Sequence, residues 1–98
     1  MIKVASTSRT GGVAGAIAHT IRREKEAKVR AIGAGAVNQA LKATILARRY
    51  LLEDEEPVSV CCVPNFVEIE LDGEEKTAVE ITIKRDNDDP DEFADDLV

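Results

Sequence analysis

The chain has 98 residues, enough for one domain with a single modest core. Only Tyr50, Phe66 and Phe93 are aromatic and Trp is absent, so the core must be built from Val, Ile, Leu and Ala; an aromatic base-stacking platform is excluded. The net charge of −6 averages three unlike segments: residues 1–52 carry ten Lys/Arg against two acids, residues 53–85 ten acids against three bases, and residues 86–98 seven acids and no base.

Such asymmetry points either to a polyanionic partner or to an electrostatic contact within the assembly, and the sequence leaves both open. No apolar run approaches the roughly 20 residues that cross a bilayer. Met1-Ile-Lys-Val reads as strand rather than signal peptide, so a cytoplasmic protein with no membrane partner is expected.

In chain order, Ile2 to Ser6 alternates like a strand, and Thr7 to Gly12 is a polar loop. Val13, Ile17 and Ile21 then recur at the four-residue step of a helix, which ends on Arg22, Arg23 and Lys25, where cations suit the helix dipole. A second strand is expected over Lys28 to Ile32 and a second helix from Ala34 to Leu52. On that helix Val37, Leu41 and Ile45 are expected to face the core, with Ala36, Ala40, Ala43 and Ala47 forming a narrow second stripe. Beyond the acidic linker Glu53 to Glu56 and Pro57, Val58 to Val63 reads as a buried strand that Pro64-Asn65 interrupts. Phe66 to Leu71 and Thr77 to Arg85 alternate with period two around Asp72 to Lys76, a hairpin signal.

Cys61 and Cys62 are adjacent in a strand, so they point to opposite faces and read as small apolar residues of a reducing compartment. With one histidine and no second cysteine pair, no metal site or cofactor is expected. His19, in mid-helix, has no nucleophile or carboxylate near it in sequence, and no acid/base pair is marked elsewhere; an enzyme is not expected.

The order β-α-β-α-β-β implies a small two-layer α+β sandwich over residues 1–85, with both helices on one sheet face. The remaining Asp86 to Val98 reads as a disordered acidic tail.

The junction Val29 to Tyr50 is the most informative stretch. A strand, a glycine hinge and a helix leave backbone N–H groups facing out of the first helical turn, where an anion can bind. Gly33, Gly35, Asn38 and Gln39 are the candidate residues of that turn. A dinucleotide fingerprint is incomplete, because Asn38 stands at the third glycine position.

Ile2-Lys-Val-Ala-Ser6, Val13-Ala-Gly-Ala-Ile17, Val29-Arg-Ala-Ile-Gly-Ala-Gly-Ala-Val-Asn-Gln-Ala-Leu-Lys-Ala43, Ala47-Arg-Arg-Tyr50 and Asp72-Gly-Glu-Glu-Lys-Thr77 together resemble the stage V sporulation protein S family. The resemblance covers about residues 2–85. That family is similar to the Alba superfamily of dimeric nucleic-acid-binding proteins, and the likeness implies an Alba-like fold, a nucleic-acid-binding role and a link to sporulation or developmental regulation. Alba-type proteins carry basic residues in the loop before the first helix; the matching positions are Ser8 and Arg9, one cation where two are usual. Their turn before the second helix often holds arginines, where this chain has Gly33-Ala34-Gly35. The hairpin presents Asp72, Glu74 and Glu75, which phosphate repels, so weaker or differently oriented binding is implied.

The residues left for a nucleic acid are Ser8, Arg9, Thr10, Lys42, Arg48 and Arg49. The competing reading is a non-enzymatic oligomeric scaffold or protein-interaction module, a homodimer or higher homo-oligomer joined through the alanine stripe, the cysteines or the hairpin edge. In either scheme the tail can act as a tethered polyanion that competes for the basic surface, or simply as a solubilising extension.

Overall fold

The computed structural model describes residues 1–86 as β1 (Ile2–Val4), α1 (Thr10–Glu24), β2 (Glu26–Ala31), α2 (Ala34–Leu52), β3 (Val60–Leu71) and β4 (Glu74–Arg85). The expected α+β order is present. The expectation of a disordered tail falls, beyond Asp86, outside the described residues.

The four strands form one mixed sheet in the order β1-β2-β4-β3. β1 pairs with β2 in parallel; β4 pairs antiparallel with β2 on one side and with β3 on the other. Both helices pack on each other and against β1 and β2, so they share one face of the sheet. Val4, Ala27, Val29, Ala31, Ile81 and Ile83 point inward from that face, and Ala14, Ile17, Ala18 and Ile21 of α1 meet them. Strand alternation puts Lys3, Lys28 and Lys84 on the other face, which no helix among the described residues covers.

β1 is shorter than expected because the backbone turns at Ala5, whose carbonyl accepts from the Ser8 N–H at 3.0 Å. That turn brings α1 forward to Thr10, and its last turn closes on Lys25, in left-handed conformation at φ 69°, whose N–H donates to the Ile21 carbonyl at 2.9 Å.

The second helix has its expected ends and the opposite face inward. Ala36, Ala40, Ala43, Thr44, Ala47 and Leu51 are buried, whereas Leu41 is 50% and Ile45 60% exposed. The alanines win because α2 is pressed against both a helix and a sheet, and only small side chains allow that approach. Leu41 and Ile45 are left outside, while Leu51 is fully buried and Val37 packs against the core from the side.

β3 is one strand that runs straight through Pro64-Asn65. Its lack of a neighbour beyond explains this: an outer strand tolerates proline, since a missing N–H on its open edge breaks no ladder. The same position leaves Val58 to Val63 only partly covered, with Val60 the one buried residue among them. Cys61 and Cys62 are opposite Lys84 and Ile83, on alternate faces, and are unbridged. The hairpin is tighter than expected: Asp72 (φ 53°) and Gly73 (φ 79°) alone make the turn, the two left-handed residues of a type I′ connection.

Candidate nucleic-acid interface

The loop between β1 and α1 is tied down from within and from α2. The Ala5 N–H donates to the Ser8 hydroxyl at 2.9 Å, so Ser8 serves the loop itself. The Gln39 side-chain amide donates to the Ser8 carbonyl at 2.7 Å and reaches the Thr10 hydroxyl at 3.4 Å. Gln39 is thereby a strut between α2 and the loop, which takes its amide donor away from a ligand at the glycine turn. Arg9 is exposed at the helix entrance that this strut holds.

Gln39, Lys42, Leu46 and Arg49 follow the flank of α2 that leans toward this loop. Thr10, Lys42 and Arg49 line one shallow hollow of about 250 Å³ with Ile45 and Leu46. Arg48 is separated from them. It lies on the β3 flank of the helix, near enough to Cys62 to hold that thiol down against burial and Cys61, which push its pKa up. Among the described residues, no ion pair engages Arg9, Lys42, Arg48 or Arg49.

Four other cations of the first half, and Lys84, do not join this group. Arg22 grips Asp54 in a two-bond fork, with Nη2 2.8 Å from Oδ1 and Nε 2.9 Å from Oδ2, and this pairing raises its pKa further. Arg30 is held by Glu80 directly across the strand pair, 2.7 Å from Oε2. Lys3, Lys28 and Lys84 lie on the bare sheet face and do not line the hollow that Thr10, Lys42 and Arg49 share. The positive charge is therefore divided between two sides of the sandwich rather than gathered on one. Sequence reasoning passed over the three lysines, although their period-two placement opposite Val4, Val29 and Ile83 carried the signal.

The glycine turn has a structural task. Gly33 caps α2 with φ 88°, and a Cβ on Gly35 would stand 3.0 Å from the Ser6 Cβ, so a side chain there would press the loop away from the helix. Asn38 is exposed one turn on. A cavity of about 660 Å³ opens beside the turn, walled by Lys3, Ser6, Gly33, Gly35 and Leu71 from the overhanging hairpin. Its Arg30 is already held by Glu80.

A family model described as stage V sporulation protein S matches residues 1–86. The chain belongs to the stage V sporulation protein S family. The match takes in all six elements, including the Gln39 strut and the cationic flank of α2, and marks a small sporulation-related protein. Away from the cationic flank, Asp72, Glu74 and Glu75 are exposed at the hairpin end, and Glu74 pairs with Lys76 at 3.2 Å. His19 is exposed on α1, and no group of three or more His, Cys, Asp or Glu among the described residues could hold a metal ion. Among the described residues, no helix is long and apolar enough to cross a membrane.

Proposed function

We propose that this protein is an Alba-like, non-enzymatic nucleic-acid-binding regulator of sporulation or development, and that it grips the sugar-phosphate backbone of DNA or RNA at the entrance of α1 and the adjoining flank of α2. The observation that carries the reading is the joint lining of one hollow by Thr10, Lys42 and Arg49, with Arg9 on the loop that Gln39 steadies. These cations have no carboxylate partner among the described residues, so they are available to phosphate. Aromatic stacking and base-edge readout have no residues here, which makes the contact one of charge and shape.

The reading includes a homodimer or higher homo-oligomer. Phe66 on the outer strand β3 is 78% exposed beside a hollow of about 420 Å³ lined by Pro64, Asn65 and Val79, with no charged residue in its wall. A second copy docked on this part of the β3 edge covers the phenylalanine, and the hollow it enters holds no charged residue. A cytoplasmic location belongs to the same reading, and the two unbridged cysteines fit it.

The test is an anisotropy titration of duplex DNA and of single-stranded RNA across a salt series. Three phosphate contacts give a log–log salt slope of about −2.7, and Arg9→Ala, Lys42→Ala and Arg49→Ala each remove about 0.9 of it. Absence of binding to either nucleic acid at about 50 mM salt, where such contacts are strongest, overturns the reading.

A further inference from the structure

The outward side of α2 is an amphipathic surface that no other element among the described residues covers. Leu41 (50% exposed), Ile45 (60%) and Leu52 (38%) form a ridge, bordered by Lys42 and Arg49 on the loop flank and by Arg48 on the β3 flank. An occupant must offer apolar side chains to the ridge and carboxylates to its borders. Two ridges placed face to face would set Lys42, Arg48 and Arg49 against their own copies, so a second copy of this chain is a poor occupant.

We propose that the occupant is the chain's own C-terminal segment, residues 87–98, docked in cis along α2. Its sequence, Asn-Asp-Asp-Pro-Asp-Glu-Phe-Ala-Asp-Asp-Leu-Val, holds six acids and no base, with Phe93 and Leu97 four residues apart, as are Leu41 and Ile45. The segment leaves the domain at the right place. The Asp86 N–H donates to the Ser59 carbonyl at 2.9 Å, and the neighbouring Val58 N–H donates to the Leu51 carbonyl at 3.0 Å, which sets the exit beside the last turn of α2. From Leu52 back to Leu41 is about 16 Å at the helical rise, whereas twelve residues of chain reach up to about 40 Å. A short tether also raises the local concentration of the segment to about the millimolar range, so a weak contact suffices. The segment lies outside the span that matches the family model.

Docking there covers Lys42 and Arg49 and makes the segment a competitor of phosphate. That consequence rests on the nucleic-acid reading above; the docking itself does not.

The experiment compares ¹H–¹⁵N spectra of the full chain with those of a full-chain Phe93→Ser, Leu97→Ser double variant. The expected result is a set of amide shift changes concentrated in residues 41–52, unaltered by about tenfold dilution and fading as salt rises past about 0.5 M, where the Debye length drops below about 5 Å. Changes confined to the neighbourhood of the substitutions, or gathered on the β3 edge, overturn the proposal. So do α2 changes that disappear on dilution together with a halving of the mass by light scattering, since a second copy is then the occupant. In parallel, the double variant should bind DNA or RNA about tenfold more tightly than the full chain if the tethered segment competes at millimolar effective concentration. If neither protein binds nucleic acid, the function proposed above fails, and the α2 shifts still decide the docking.

Discussion

Two side chains, Gln39 and Arg48, do work that their neighbours in sequence do not announce. Gln39→Ala removes the strut to the loop, and the cost should be about 1 kcal/mol of stability for a lost hydrogen bond. Hydrogen exchange should quicken at the amides of residues 7–10, which the strut steadies, and leave those of β2 unchanged. Arg48 acts through charge. The Cys62 thiol is pushed above its ordinary pKa by burial and then by Cys61, with Arg48 opposing both. Because the thiolate is the reactive form, Cys62 should alkylate more slowly at pH 8 than a free thiol, and Arg48→Ala should slow it further, by a few fold. A mass-resolved iodoacetamide time course checks this, and an unchanged rate in Arg48→Ala removes the electrostatic account. The sign extends to stability: the unfolded chain loses this proton first, so Cys62 contributes stability below the free thiol's range and loses that contribution as pH rises from there through its own raised pKa.

At the scale of elements, α2 separates what periodicity can say from what it cannot. Its ends and its two stripes are visible as residue spacing, but the choice of inward stripe depends on how closely α1 and the sheet approach. Hydrophobicity alone favours Leu41 and Ile45; close packing favours alanine. The two accounts differ in a urea melt. Ala43→Leu should cost about 1–3 kcal/mol by overfilling the contact, whereas Ile45→Ala should stay within about 0.5 kcal/mol. The reverse ranking would place the ridge inside. β3 repeats the lesson, since Pro64 reads as a break until its strand is known to be the outer one.

For the whole molecule, the decisive feature is a sheet with helices on one face only and a long outer strand at one side. This layout splits the cations, with Arg9, Lys42 and Arg49 around α2 and Lys3, Lys28 and Lys84 on the bare face. It also leaves Phe66 in the open. If the β3 edge joins two copies, Phe66→Ser should shift sedimentation from dimer to monomer at micromolar protein while the far-ultraviolet spectrum stays native. An unchanged mass would assign assembly to another surface. Since no charge lines the hollow beside Phe66, the dimer should resist added salt, whereas binding of nucleic acid should weaken steeply with it.

Local pattern determined the element order, both hairpin strands, the extent of α2, the family and the residue types able to meet a phosphate, because each is written in spacings of two to four residues or in a motif. Tertiary structure decided which stripe of α2 is buried, that Gln39 braces a loop, that Arg22 and Arg30 are held by Asp54 and Glu80, and that the basic residues part to two faces. Those outcomes depend on pairings between residues 30 to 50 positions apart, and no short window of sequence contains both partners.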